Sequence, residues 1–254
     1  MAPAPTITQH YSSLAGSTVL PWWAAPALQE AQAEALLPHL ALTPDSRVVD
    51  LGAGSCAFAS LLHSKAALQQ PVMCVDPSQA MLEQAASLAG VSTLCQAAEE
   101  WAAGGQEADS TTVFIKAAVH HLNRATLEQT MAGIRRRLGA SGRLVVEKTS
   151  ADTWSCLPYP HQLIRLNQER DLPTLQLREA MLRAGFSMVQ VHVQRFPVKI
   201  SKAEMFEGFR QRETSGFMLF SDEQIEEGIV EVDSRFGGDT LEFTMIRDIV
   251  IGLR

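Results

Sequence analysis

Short apolar runs alternate with longer amphipathic stretches in the first half of the chain, from residue 47 onward. Each run spans about four residues between polar or turn-forming residues, which is typical of strands buried on both faces of a sheet. The runs predict strands at 48–51, 72–75, 92–95, 112–115 and 143–146. The stretches between them have helical spacing at 57–68, 78–88, a short segment near Glu99, and 125–138. This alternation predicts a mostly parallel α/β sheet with helices on both faces.

The second half of the chain departs from this regular alternation. Residues 150–170 interrupt the strand and helix pattern, and we predict an irregular segment there, as a candidate lid. A helix predicted at 173–184 ends at Gly185, a residue that commonly terminates helices. The remaining pattern predicts strands at 187–196 and 242–253 and helices at 202–213 and 221–233. Together these elements predict a sheet of seven strands.

The length of 254 residues fits one large α/β domain and is short for two. Residues 1–42 have the pattern of a helical preface that ends near two prolines. We therefore predict a single domain over 1–254. Its parts are an N-terminal helical lid at 1–42, a ligand-binding core at 45–150, and a C-terminal half at 151–254 with lid insertions over the substrate.

The composition of the chain limits the kinds of molecule that it is expected to bind. Hydrophobic residues make up 46% of the chain and charged residues 19%, which is the profile of a folded domain. The formal net charge of −7 argues against binding nucleic acid, which requires clustered Lys and Arg. No apolar run reaches the roughly 18 residues of a membrane span, and no basic leader precedes Arg47. We expect a cytoplasmic protein that acts on a small molecule; the composition does not indicate its oligomeric state.

The four cysteines have no C-x-x-C pair and no metal-ligand spacing with histidine. Three of them, Cys56, Cys74 and Cys95, lie in or beside apolar runs, where reduced cysteines commonly pack. We therefore expect a reducing compartment and no metal.

The turn after the first predicted strand carries the strongest functional signal. Gly52, Ala53 and Gly54 follow that strand and precede a helix, so the backbone can turn tightly and approach a ligand closely. The second predicted strand ends at Asp76, 22 residues beyond Gly54. A carboxylate at this position can accept hydrogen bonds from both hydroxyls of a ribose. The turn and the carboxylate together predict a site for an adenosine cofactor.

Asp50 discriminates between the cofactors that contain adenosine. Its carboxylate lies within the first strand, just before the glycines. A negative charge there favours a cofactor with an ammonium and a sulfonium, as in S-adenosylmethionine, and repels the pyrophosphate of NAD. The residue therefore favours S-adenosylmethionine.

Residues 45–150 resemble the class I S-adenosylmethionine-dependent methyltransferases of the small-molecule type. The resemblance rests on Val49-Asp50-Leu51-Gly52-Ala53-Gly54, on Val75-Asp76-Pro77-Ser78 with Met81-Leu82, and on Ala98-Glu99. It implies a Rossmann-like, doubly wound fold and makes 45–150 the cofactor-binding core. It also implies that the glycine turn meets the methionine part of S-adenosylmethionine, that Asp76 holds the ribose near Pro77 and Met81, and that Ala98 and Glu99 lie beside the adenine.

One position departs from the pattern of this family. Many relatives have an acid just before the Ala-Glu pair that reads the adenine amine, and this chain has Ala97 there. Adenine recognition would then rest on backbone groups or on Glu99. A solvated helix start remains an alternative role for Glu99.

The end of the fourth predicted strand is where catalytic groups are expected, because ligands of doubly wound sheets lie at the switch between the first and fourth strands. His120 and His121 there resemble the His-His-Leu segment of small-molecule methyltransferases, and a histidine can remove a proton near neutral pH. Fixing the loop by hydrogen bonds is the alternative role. Lys116 can bind the carboxylate of the cofactor or of the acceptor, which would indicate an anionic acceptor, or it can be a plain surface lysine.

Candidate contacts to the acceptor lie outside this core. Tyr11 resembles the aromatic residue of the N-terminal helix that closes over the cofactor in many relatives. Further candidates from the predicted lid regions are Trp154, Tyr159, His161, Arg210 and Arg212.

The reaction that these features favour is methylation of a small molecule by direct in-line displacement, in which the protein aligns the reactants and excludes water. Three alternatives stay open at the level of sequence. One is transfer or cyclisation of the aminocarboxypropyl group with release of methylthioadenosine. The others are an NAD-dependent oxidoreductase and a non-catalytic module that binds S-adenosylmethionine.

Overall fold

The computed structural model describes residues 21–104 and 110–254, and Gln9 from the segment before them. Seven strands form one sheet in the order β3-β2-β1-β4-β5-β7-β6. The strands are β1 Val48–Leu51, β2 Val72–Asp76, β3 Val91–Cys95, β4 Ser110–Lys116, β5 Leu138–Thr149, β6 Met188–Ser201 and β7 Thr240–Leu253. Strands β1 to β5 pair in parallel, and β7 runs antiparallel to both β5 and β6. The prediction of a mostly parallel sheet of seven strands is confirmed.

Helices connect the strands on both faces of this sheet. In the described part of the chain they are α1 Pro26–Leu40, α2 Ala57–Lys65, α3 Gln79–Glu83, α4 Ala98–Ala103, α5 Leu127–Arg137, α6 His161–Arg170, α7 Thr174–Arg183, α8 Lys202–Arg210 and α9 Asp222–Arg235. Short 3-10 turns include Val119–His121, Ala151–Ser155 and Ser215–Leu219. The doubly wound α/β fold predicted from the alternation is confirmed.

Two apolar layers hold the sheet, because residues that alternate along each strand point to opposite faces. On one face, Val49 and Leu51 pack with α4, α5 and α7. On the other face, Val48 packs with α1 and α2 through residues such as Leu36 and Leu62. Both layers extend across β4 and β5. The two layers therefore hold the sheet in place at the carboxyl ends of its strands.

The region predicted as irregular at 150–170 contains α6 His161–Arg170, so that part of the prediction is wrong. Pro160 precedes the helix and no side chain caps its first turn, which removes the usual sequence signal for a helix start. Tertiary contacts stabilise the helix instead. Leu163 is fully buried, and the Arg124 guanidinium donates to the carbonyls of Arg170 and Asp171 at 2.6 Å each.

A third apolar cluster lies outside the two layers of the sheet, and we call it the cap cluster. It joins α6, α8, α9 and the 3-10 turn Ser215–Leu219 with the ends of β6 and β7. Its buried members are Leu157, Tyr159, Leu163, Met205, Phe209, Phe217, Phe220, Ile225, Ile229, Val232 and Leu241. Helices α8 and α9 connect β6 to β7, so the cap is carried by this long antiparallel pair of strands.

Strand order places a topological switch between β1 and β4, as predicted from the chain order. β2 and β3 follow on one side of β1, and β4 and β5 follow on the other. Connections from the two sides leave the sheet in opposite directions, which opens a crevice beyond the carboxyl ends at this point. Gly52, Asp76 and Lys116 all lie at these ends.

Candidate functional site

The glycine turn after β1 is held by the neighbouring strand. The N–H groups of Gly52 and Ala53 donate to the Val75 carbonyl at 2.8 and 3.2 Å. Gly52 and Gly54 have φ values of +79° and +54°, in the left-handed region that side chains rarely adopt. A Cβ on Gly52 would lie 2.5 Å from the Cβ of Ala118. The turn is therefore packed against the loop after β4 and presents bare backbone to the crevice.

Asp76 ties this turn to the start of α3. Its Oδ2 accepts a hydrogen bond from the Gly54 N–H at 2.9 Å, and its Oδ1 accepts one from the Ser78 N–H at 2.8 Å. Burial raises the pKa of Asp76, and the two N–H donors partly offset that rise. Each oxygen keeps a second lone pair. The carboxylate is thus fixed in orientation and can accept further hydrogen bonds. Pro77 and Met81 lie beside it, and a Cβ on Gly54 would meet the Met81 Cε at 3.4 Å.

Asp50 and Lys116 lie at the switch point, close enough for each to affect the pKa of the other. The Asp50 side chain is 3% exposed, and no described residue donates a hydrogen bond to its Oδ1. Burial raises the pKa of Asp50 to about 8, although Lys116 acts in the opposite direction. Burial also lowers the pKa of Lys116 to about 8, against the influence of Glu147. The Lys116 Nζ lies 4.5 Å from the centre of the Phe58 ring.

The two histidines after β4 lie in the 3-10 turn Val119–His121. The ring centres of His120 and His121 are 3.9 Å apart, with His120 exposed on one side and His121 half-buried. Desolvation lowers the pKa of His120 well below its ordinary value, and His121 and Arg247 add to this effect. His120 is therefore neutral at pH 7, in the form that can accept a proton.

Glu99 holds the loop that follows these histidines. Its Oε1 accepts a hydrogen bond from the Asn123 N–H at 3.0 Å. Ala98, at the start of α4, packs against the apolar layer of the sheet. The structure thus gives the Glu99 carboxylate a contact within the chain, which sequence reasoning did not predict.

Two ion pairs at the ends of β5 and β7 border the site. Arg247 binds Glu147 through both nitrogens of its fork, with 3.1 Å between Nη2 and Oε2. Lys148 is 2% exposed and binds Asp171 at 3.0 Å. Residue spacing does not reveal the Arg247 pair, because Glu147 and Arg247 are 100 positions apart.

The cap contributes a buried polar group that faces this border. The Tyr159 hydroxyl accepts a hydrogen bond from the Trp22 Nε1 at 3.2 Å. Burial, then the nearby Glu213 carboxylate, raises the pKa of Tyr159 well above its ordinary value, and Arg247 acts in the opposite direction. Trp154 packs against the cap cluster, and among the described residues no group accepts from its buried Nε1.

The other predicted acceptor contacts lie on the outer side of the cap. The His161 Nδ1 lies 2.7 Å from a Glu231 carboxylate oxygen, and the Arg210 Nε lies 2.7 Å from a Glu226 oxygen. Arg212 binds Asp222 at 2.8 Å. Both His161 and Arg210 are exposed, and their partners belong to α9. Tyr11 lies outside the described residues.

The geometry at the switch point fits the cofactor that the sequence resemblance implies. The buried Asp50 carboxylate has an oxygen without a hydrogen-bond donor among the described residues, which suits a cationic group. The glycine turn leaves no room for a Cβ at Gly52, so a ligand there meets backbone atoms in place of a side chain. Asp76 is held with free lone pairs toward the crevice. These groups suit a ligand that joins an amino acid to a nucleoside, as S-adenosylmethionine does.

The described residues contain no group of three or more His, Cys, Asp or Glu side chains arranged to hold a metal ion. Among the described helices, none has the length and apolar character needed to cross a membrane.

Comparison with known proteins agrees with this geometry. Residues 48–142 match the family model described as a methyltransferase domain. No curated protein sequence matches the chain. Among solved structures, the YcgJ protein of Bacillus subtilis is similar in fold, with a TM-score of 0.61 at 18% identity over 89% of this chain and 98% of that one.

Two further structures with this fold carry a named activity. Geranyl diphosphate C-methyltransferase from Streptomyces coelicolor has a TM-score of 0.53 at 15% identity, over 99% of this chain and 86% of that one. Phosphoethanolamine N-methyltransferase 2 of Haemonchus contortus has a TM-score of 0.56 at 17% identity, over 97% of this chain and 56% of that one. Residues 48–142 thus match a methyltransferase domain, and the chain shares its overall fold with these solved structures.

Proposed function

We propose that this enzyme transfers the methyl group of S-adenosylmethionine to a small-molecule acceptor by direct in-line displacement. The buried Asp50 carboxylate beside the glycine turn is the observation that carries the proposal. A buried carboxyl oxygen without a donor is costly, and a cationic ligand offsets that cost. When bound, S-adenosylmethionine supplies a methyl group already activated by its positive sulfur.

Different residues at the switch point bind different parts of the cofactor. Backbone groups of Gly52, Ala53 and Gly54 approach the methionine part, and Asp76 accepts hydrogen bonds from the ribose, with Pro77 and Met81 beside it. Ala98 and Glu99 border the adenine. Asp50 faces the cationic groups of the cofactor. Lys116 binds an anionic group, the carboxylate of the cofactor or of the acceptor.

His120 is the candidate proton acceptor in this proposal. Its lowered pKa keeps the ring neutral at pH 7, and the loop that follows it is held by the Glu99 contact to Asn123. The neutral ring can take a proton from an acceptor nitrogen or oxygen as that atom attacks. His121, next to it in the same turn, provides the matched control.

The His120→Gln and His121→Gln pair tests this assignment. We expect His120→Gln to lower kcat about 100-fold, the low end of what a positioned base contributes, and His121→Gln to change kcat less than about threefold. The wild-type kcat at saturating cofactor should fall at low pH as His120 gains a proton. Equal effects of the two variants would count against a role for His120 as base.

The acceptors named for structures of the same fold guide the choice of substrates. One structure holds geranyl diphosphate and another holds phosphomonomethylethanolamine. Both are small molecules with phosphate groups, which supports a small acceptor with an anionic group for this chain.

Calorimetric titration and product analysis test the proposed function itself. The protein should bind S-adenosylmethionine and S-adenosylhomocysteine but not NAD. Mass spectrometry of reactions with an acceptor library should then show S-adenosylhomocysteine as the product of the cofactor. Release of methylthioadenosine would instead indicate aminocarboxypropyl transfer, and an absence of binding to both sulfur nucleosides would refute the proposal.

A further inference from the structure

Glu213 is a buried carboxylate in a position where helices commonly carry an apolar residue. Helix α8 ends with the Glu213 N–H donating to the Gly208 carbonyl at 3.0 Å and the Arg212 N–H donating to the Phe209 carbonyl at 2.9 Å. Arg212 has a φ of +53°. In this helix ending, the residue at the position of Glu213 normally packs an apolar side chain back onto the helix. Glu213 is nevertheless only 3% exposed.

The helix beneath this carboxylate is shaped to receive it. A Cβ on Gly208 would lie 2.4 Å from the Glu213 Oε2. Glycine in a helix interior costs about 1 kcal/mol relative to alanine, so its presence here has a packing reason. The glycine and the left-handed Arg212 together place the carboxylate inside the cap.

Among the residues that the structure describes, no side chain supplies a cation to this carboxylate. No described residue donates a hydrogen bond to the Glu213 Oε1. Three nearby arginines of the cap pair with other carboxylates: Arg210 with Glu226, Arg212 with Asp222, and Arg235 with Glu231. Burial raises the pKa of Glu213 to about 8, although hydrogen bonds from Trp22 and Tyr159 to the carboxyl group act in the opposite direction.

Aromatic rings surround the same place. The hydroxyl of Tyr159 lies near the Glu213 carboxylate, since each group affects the pKa of the other. The Tyr159 ring centre is 5.5 Å from that of Phe209 and 6.2 Å from that of Phe217. Trp22 donates to the Tyr159 hydroxyl. A carboxylate among aromatic rings is an environment that attracts organic ammonium groups, by charge and by cation–π contact.

We propose that Glu213, with the rings of Tyr159 and Trp22, forms a binding site for a positively charged nitrogen group of the acceptor. This inference rests on the proposed function, because it concerns the acceptor half of the same reaction. Tyr159 also lies within electrostatic reach of Arg247, whose partner Glu147 borders the switch point. The site therefore adjoins the crevice from the cap side. The acceptor is an organic amine, whose charge Glu213 balances.

A pair of probes of equal shape tests this site. Choline carries a quaternary ammonium, and 3,3-dimethylbutan-1-ol has the same shape without the charge. We expect the protein saturated with S-adenosylhomocysteine to bind choline at least tenfold more tightly than the neutral alcohol, as measured by calorimetry or ligand-observed NMR. Glu213→Gln should remove this preference and leave the affinity for the alcohol unchanged.

Two further variants keep the test specific. Glu226→Gln removes an exposed carboxylate of the same cap and should retain the preference for choline. Gly208→Ala should reduce that preference by displacing the Glu213 carboxylate, provided that thermal unfolding shows a folded protein. Equal affinity for the two probes, or a preference that survives in Glu213→Gln, would overturn the inference.

The titration with S-adenosylhomocysteine separates this inference from the proposed function. If the nucleoside does not bind, the proposed function fails, and the probe titrations are then read on the protein alone. If the nucleoside binds and choline shows no preference, only the amine site fails.

Discussion

The switch point and the cap both bury carboxylates, but the two regions hold them in different ways. At the switch point, Asp76 accepts hydrogen bonds from two backbone N–H groups within a short stretch of chain. In the cap, Glu213 lies among side chains from distant parts of the sequence, including Trp22 and Tyr159. The first arrangement is made by local backbone geometry. The second exists only after the cap has assembled.

This difference suggests a division between cofactor and acceptor. A backbone-built site is insensitive to most side-chain changes, which suits a ligand that is the same in every relative. A site built from side chains on separate helices can change one residue at a time, which suits an acceptor that differs between enzymes. Variants in one region should therefore affect one ligand and leave the other unchanged.

Gly52→Ala is expected to have the largest effect. The added Cβ would lie 2.5 Å from the Ala118 Cβ at a φ of +79°, so the turn must move. We expect cofactor affinity to fall at least about 100-fold and stability to fall by about 2 kcal/mol. Calorimetry and thermal unfolding measure both changes.

Gly238→Ala is the matched control for this variant. Gly238 has a similar φ of +72°, but nothing lies within 4 Å of its Cβ position. It should lose only about 1 kcal/mol of stability and bind the cofactor normally. If both variants bound the cofactor equally well, close packing of the glycine turn would not matter for binding.

Asp76→Asn is expected to have the next largest effect. The amide replaces one acceptor oxygen with a donor, which then faces the N–H of Gly54 or of Ser78. We expect cofactor affinity to fall about 30-fold, equivalent to about 2 kcal/mol. The KM for the acceptor, measured at saturating cofactor, should change less than about twofold. A large rise in that KM would contradict the division between the two regions.

The same two regions differ in how far they can be predicted from the sequence. Gly52, Gly54 and Asp76 lie within a few residues of strand ends, so spacing along the chain is sufficient to predict that they lie together. The pair of Glu147 and Arg247 joins strands 100 positions apart, and only the sheet order brings them together. The sequence around Glu213 is that of an ordinary helix end, so it does not predict a buried carboxyl group.

Helix α6 shows the same limit for secondary structure. Its sequence has no capping residue, and the segment therefore looks irregular. Burial of Leu163 and the contact of Arg124 with the last carbonyls stabilise the helix, and both depend on tertiary structure. By contrast β1 was predicted with its exact bounds, because a short buried strand between polar residues is a local signal.

Asp50→Asn is expected to stabilise the protein while it weakens cofactor binding. The pKa of Asp50 is raised from 3.8 to about 8, so the folded protein must protonate this group at pH 7 whereas the unfolded chain does not. Stability from this group is complete below pH 3.8 and is lost as the pH rises to about 8. The amide avoids that loss and should stabilise the protein at pH 7 by on the order of 2 kcal/mol.

The same variant should remove a proton release that accompanies binding. A cation beside Asp50 favours its charged form, so cofactor binding at pH 7 should release a proton from the wild type. Titrations in buffers of different ionisation enthalpy measure this release. Asp50→Asn should bind about tenfold more weakly and release none, whereas the exposed control Glu242→Gln should behave as wild type. Proton release that persists in Asp50→Asn would assign it to another group.

Tyr159→Phe is expected to have the smallest effect, and that effect should be confined to the cap. Loss of the hydroxyl leaves the Trp22 N–H without its acceptor at 3.2 Å, which costs about 1 kcal/mol. The KM for the acceptor should rise about fivefold with the cofactor affinity unchanged. A double-mutant cycle with Trp22→Phe measures the coupling between the two side chains. Because the hydroxyl lies in the cap and touches none of the backbone groups of the glycine turn, a matching loss of cofactor affinity would show that the two regions act as one site.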